Sequence, residues 1–146
     1  MFVVDTNLLL YAVNAGSPEH PTAAAEIERY RQGGDLWFLT WGIVYEFLRV
    51  STHRSVFERP LRLAEAWAWI EVLRAGRGFR ILAETERHPD VLGELAARHP
   101  RLAGNPVHDL HTAALMLEHG IAEIRTADTD FHQFLFLRVV NPLVGV

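Results

Sequence analysis

Short apolar runs alternate with longer stretches of helical period along the 146 residues. Residues 2–4, FVV, predict a strand ending at Asp5, and NLLLYAVN (7–14) predicts a short helix. Ser17 and Pro18 in front, with Gly33 and Gly34 behind, mark the limits of a second helix. DLWFLT (35–40) predicts a strand, and Thr40 is placed to cap the helix that follows it. In that helix, TWGIVYEFLRV, the residues Ile43, Phe47 and Val50 share one face, and Glu46 sits on the shoulder of the stripe. A carboxylate beside an apolar face needs a partner or a purpose. PLRLAEAWAWIEVLRAG (60–76) predicts a helix opened by Pro60, FRILA (79–83) a strand, and HPDVLGELAARHP (88–100) a helix stopped by Pro100. NPVHDLHTAALMLEHG (105–120) predicts a helix with Asn105 as N-cap, Pro106 as first residue and Gly120 as its stop. AEIRTAD (122–128) and LRVVNPL (137–143) predict the last two strands.

Strands alternating with helices imply βαβ units. The expectation is therefore one α/β domain over 1–146, with a mostly parallel sheet flanked by helices on both faces. In such sheets, sites form outside the carboxyl ends of the strands. Asp5 ends the first strand, Asp128 ends EIRTAD, and Asp130 follows two residues later. Asp109 lies in the first turn of its helix, and Glu46 lies on the helix after DLWFLT. Each acid has an ordinary role available: an N-cap for Asp5, the helix dipole for Asp109, turn chemistry for Asp128 and Asp130, and solvent for Glu46. Together they crowd one sheet edge with like charge. A hard divalent cation held by oxygen ligands, Mg²⁺ or Mn²⁺, is the natural counterion. Such a cluster performs phosphoryl-transfer chemistry.

Composition narrows the choices. The chain has no cysteine, which excludes disulfides, thiol nucleophiles and thiolate metal sites. All 14 basic residues are arginine, so chemistry that needs a lysine is excluded as well. No apolar run approaches the roughly 18 residues of a membrane span. MFVVDTN carries no basic leader segment, so cytosolic residence is expected. Net charge is −4, yet residues 49–80 hold seven arginines against Glu58, Glu65 and Glu71. A basic stretch on an acidic body suits a phosphate-bearing partner, with Arg49, Arg54 and Arg59 as the foremost candidates. His108, His111 and His119 share a helix, but their spacing matches no strong zinc pattern. Trp67 and Trp69 stand two apart on another helix, so one narrow stripe cannot hold both. Either that helix is buried on two sides, or one indole faces a partner.

The ordered set VVDTNLLLYAVN, YEFLRV, NPVHDLHTAALMLEHG and TADTDF resembles the PIN-domain family over essentially the whole chain, most of all the VapC-type toxins of toxin–antitoxin pairs. The resemblance implies a metal-dependent endoribonuclease acting on structured RNA. Asp5, Glu46, Asp109 and Asp128 stand at the family's acidic positions, with Asp130 auxiliary. It also implies a homodimer and inhibition by a cognate VapB-type antitoxin. Two other readings remain open. A phosphohydrolase of haloacid-dehalogenase type also opens on a strand-end Asp. Such enzymes carry D-x-D there, where this chain has Asp5-Thr6-Asn7, and they usually need a lysine. A PIN-like scaffold that only binds RNA or protein would need no intact acids.

Overall fold

The computed structural model describes residues 1–145. In chain order the elements are β1 (Phe2–Val4), α1 (Thr6–Val13), α2 (His20–Gln32), β2 (Trp37–Thr40), α3 (Trp41–Ser51), α4 (Leu63–Arg74), β3 (Phe79–Leu82), α5 (His88–Arg98), α6 (Val107–Glu118), β4 (Glu123–Arg125) and β5 (Arg138–Val140). A 3₁₀ turn over Asp130–Gln133 precedes β5.

The five strands form one sheet in the order β3-β2-β1-β4-β5, and every pairing is parallel. All residues of β1 and β2 are buried. Side chains alternate between the faces of a strand, so burial of every residue requires cover on both faces. The chain builds outward from β1 through β2 to β3, then crosses back to place β4 on the other side of β1. The order therefore reverses between β1 and β4, and a crevice opens beyond their carboxyl ends.

Local signals set most helix limits. The Thr40 hydroxyl accepts from the Ile43 N–H at 3.0 Å and caps α3 as expected. Gly120 has φ +68°, and the Ile121 and Gly120 N–H groups donate to the Met116 and Leu117 carbonyls, closing α6 in a Schellman motif. Two starts differ from expectation. Helix α4 begins at Leu63, not Pro60. The Leu61 N–H donates to the Ser51 carbonyl and holds the segment extended, and Glu65 accepts from the Arg62 N–H. Helix α6 begins at Val107, and among the described residues no side chain caps it. The N–H groups of Val107, His108 and Asp109 bond three residues back, so a tight turn occupies the place expected for an Asn105 cap.

Candidate functional site

Asp5 immediately follows β1 and is buried. It caps α1, accepting from the Thr6 N–H at 2.8 Å. Its Oδ2 accepts from the Thr126 hydroxyl at 2.7 Å and from Asn7 Nδ2 at 3.1 Å. The two readings of Asp5, cap and site residue, are thus compatible: one oxygen serves the helix and the other looks across the switch point. Asn7 also donates to Thr126 Oγ1 and accepts from the Ala127 N–H, tying α1 to the loop after β4. Thr126 Oγ1 accepts from the Asp128 N–H, and Asp128 Oδ1 accepts from the Asp130 N–H. A continuous chain of hydrogen bonds therefore runs from Asp5 to Asp130. Thr6, Asn7 and Thr126 are the members that sequence reasoning missed. Their signal was available in the short polar residues beside each strand-end Asp.

Glu46 is half-buried, and its Oε2 accepts from the Thr6 hydroxyl at 3.0 Å. The carboxylate thus leaves the apolar stripe of α3 to meet the first residue of α1. Asp109 sits in the first turn of α6, as expected. Carboxylate oxygens of Asp109, Asp128 and Asp130 lie within 4.8 Å of one another. Glu46, Asp109, Asp128 and Asp130 line a crevice of about 390 Å³ together with Arg49, Asn105, Pro106 and His108.

The electrostatics follow from that crowding. Burial pushes the Asp109 carboxyl up to about 7, and the charges of Asp5, Asp128, Asp130 and Glu46 push in the same direction. Burial pushes Asp5 up to about 6 against the hydrogen bonds from Thr126 and Thr6, with Glu46 and Asp128 adding repulsion. The acids offer carboxylate oxygens, and among the described residues Arg49 is the one arginine lining the crevice. This set fits a hard divalent cation in donor chemistry and in charge.

The remaining candidates disperse. Arg54 and Arg59 are exposed, and Arg59 lines a separate groove with Val13, Asn14 and Gly16. The basic stretch is not one face either: Arg62 pairs with Glu65, Arg74 pairs with Glu71, and Arg80 donates to backbone carbonyls. A larger groove of about 540 Å³ shares Pro106 and Asp130 with the acidic crevice and is lined by Arg98 and Arg101. The three histidines on α6 and at its end go separate ways. His108 lines the crevice, His111 meets Glu84, and His119 meets the Ala83 carbonyl.

A parallel sheet with a carboxylate crevice at its switch point defines the class of molecule, and comparison with known proteins gives the family. The PIN domain family model matches residues 2–137. Ribonuclease VapC48 of Mycobacterium tuberculosis is 34% identical over 142 residues, covering 97% of each chain. Ribonuclease VapC33 of the same organism is 35% identical over 144 residues, covering 98% of this chain and 99% of that one. The chain belongs to the PIN-domain family, in its VapC branch. Among solved structures, Rickettsia felis VapBC2 bound to a promoter DNA fragment superposes with a TM-score of 0.69 at 15% identity, covering 96% of this chain and 97% of that one. Mycobacterium tuberculosis VapC20, described as a sarcin-ricin loop cleaving toxin, gives 0.66 at 23% identity, covering 90% and 93%. Both likenesses are of fold.

Proposed function

We propose that this protein is the toxin of a VapC-type toxin–antitoxin pair, a metal-dependent endoribonuclease that hydrolyses a phosphodiester bond of structured RNA in the cytoplasm. The observation that carries the reading is the convergence of Asp109, Asp128 and Asp130 oxygens within 4.8 Å, on a crevice that holds Asp109 partly protonated at neutral pH. Asp5, Glu46, Asp109 and Asp128, with Asp130 auxiliary, would hold Mg²⁺, or Mn²⁺ in its place. A divalent ion bound there supplies acidification of a water molecule and neutralisation of charge on the phosphate oxygens.

The protein's own part is positioning. Thr126 and Asn7 hold the Asp5 carboxylate at the end of β1, and Thr6 holds Glu46. The Asp128 oxygen that accepts from the Asp130 N–H fixes the turn in which both residues lie. Arg49 in the crevice, and Arg98 and Arg101 in the groove that adjoins it, offer guanidinium groups to the RNA backbone beside the acids.

The VapB-type antitoxin and a second copy of the chain are the proposed protein partners. Trp41 and Tyr45 of α3, and Leu63 and Trp67 of α4, are large exposed apolar residues in two i,i+4 pairs on helices that pack together. Among the described residues, no helix is long and apolar enough to cross a membrane.

The test offers structured RNA and p-nitrophenyl phosphate in parallel, each with and without Mg²⁺. The expected result is cleavage of RNA alone, dependent on the metal and abolished by Asp5→Asn. An amide cannot replace a metal-binding carboxylate, whereas it can still accept at the helix cap. Hydrolysis of the small phosphate ester would favour the phosphohydrolase reading. RNA binding without turnover would favour the scaffold.

A further inference from the structure

A second group of donors includes His111, two residues beyond Asp109 on α6. His111 Nε2 is 2.7 Å from Glu84 Oε1, and the His88 and His111 rings meet edge to face with centroids 5.8 Å apart. One ligand atom from each of Glu84, His88 and His111 lies within 4.8 Å of the others. The three come from different places: the loop after β3, the first residue of α5, and the second turn of α6. Both rings are held. His88 Nδ1 is 2.5 Å from Glu118 Oε2, and the Glu118 side chain is wholly buried. The Thr85 N–H and hydroxyl fix the other Glu118 oxygen at 2.9 and 2.8 Å. The His111 ring packs on the first turn of α3, where a Cβ added at Gly42 would stand 3.0 Å from Nδ1. Nδ1 of His111 is therefore turned to the protein and Nε2 to Glu84.

We propose that Glu84, His88 and His111 form a binding site for a borderline divalent cation, Zn²⁺, distinct from the carboxylate crevice. Two imidazoles and one carboxylate are a donor set for Zn²⁺, whereas Mg²⁺ takes oxygen. Glu118 accepts the Nδ1 proton of His88, which fixes the tautomer and leaves the Nε2 lone pair to bind. Tetrahedral ligands about 2.0–2.1 Å from zinc stand roughly 3.3 Å apart. The Glu84–His111 contact therefore opens by a fraction of an ångström to admit the ion, while the longest separation closes. Glu84 and His111 retain about half and a third of their side-chain exposure, which leaves an entry path and a fourth position for water. The ion joins α5 to α6 two residues beyond Asp109, so its role is to staple the wall of the crevice.

The experiment equilibrates the protein with one equivalent of Zn²⁺ in a large excess of Mg²⁺, then measures bound zinc by elemental analysis and affinity by calorimetry. Co²⁺ replaces Zn²⁺ to give a visible ligand-field spectrum. The expected result is one bound zinc per chain and a tetrahedral Co²⁺ spectrum, both retained in Asp109→Asn and lost in His111→Gln. Glu118→Gln weakens binding by about tenfold to a hundredfold. Glu84→Gln, a change at a half-exposed side chain that leaves the fold intact, weakens it as well. Zinc binding unchanged in His111→Gln and Glu84→Gln, zinc binding lost in Asp109→Asn, or no stoichiometric zinc in the parent would each overturn the proposal.

Discussion

The Thr126 hydroxyl donates to Asp5 Oδ2 at 2.7 Å, joining two residues 121 apart in sequence beyond the ends of adjacent strands. The bond lowers the Asp5 pKa against the burial that raises it. Thr126→Val keeps the side-chain shape and removes the hydroxyl. It leaves Asp5 short of a donor, and Asn7 and the Asp128 N–H short of an acceptor. A loss of about 1–3 kcal/mol of stability is expected in denaturant melts. The acid limb of the RNA cleavage profile should also move to higher pH, because Asp5 ionises later. A variant that loses stability with an unmoved acid limb would make Thr126 a packing residue only.

Asp109 predicts how metal-free stability depends on pH. Its pKa is about 7 in the folded chain against an ordinary value of 3.8. Between those values the folded state binds more protons than the unfolded state, so stability falls as pH rises through the window. Above pH 7 the full repulsion is present. Asp109→Asn should therefore raise the chelator-treated stability at neutral pH by an amount on the order of 1 kcal/mol after discounting for partial exposure, and the melting temperature with it. It should also shrink the stabilisation that Mg²⁺ gives the parent. Paired thermal melts in chelator and in Mg²⁺ check both halves. A variant less stable in chelator, yet stabilised equally by Mg²⁺, would return Asp109 to the helix dipole.

The two arginine sets can be separated by salt. Arg98 and Arg101 line the groove continuous with the acids, whereas Arg54 and Arg59 do not line the acidic crevice. Arg98→Ala with Arg101→Ala should weaken RNA binding and reduce the slope of log affinity against log salt by about 1–2, near 0.7–0.9 per lost phosphate contact. Arg54→Ala with Arg59→Ala should do less of both. The reverse order would place the RNA along the loop between α3 and α4 instead.

The two tryptophans of α4 should behave oppositely. Trp69 packs on Phe47 with ring centroids 5.1 Å apart, so Trp69→Ala should cost about 3–5 kcal/mol of stability. Trp67 is exposed, and Trp67→Ala should stay within about 0.5 kcal/mol. The same Trp67 change should weaken association with the antitoxin, or of the chain with itself, by more than about 1 kcal/mol. Thermal melts and light scattering with and without antitoxin separate these outcomes. Unchanged association in Trp67→Ala would mean that the partner surface lies elsewhere.

Local physics made much of the architecture legible in sequence. Apolar runs, Thr40 as a cap and Gly120 as a left-handed stop depend on neighbours within one turn, and these positions came out as expected. Two helix starts did not. A bond from Leu61 to the distant Ser51 carbonyl, and a tight turn at 104–107, overrode the Pro60 and Asn105 signals. Asp5 could be placed at a strand end because a parallel sheet sends all those ends to one edge, whereas Asp128, expected to end its strand, lies in the loop three residues beyond β4. Only the tertiary structure decided that β4 lies beside β1, which brings Thr126 onto Asp5 and sets Asp130 with Asp109 and Asp128. It likewise moved Arg59 to another groove and gathered Glu84, His88 and His111. Strand order and cross-helix contacts join residues far apart along the chain, and no periodicity within one element encodes which distant side chain will stand opposite.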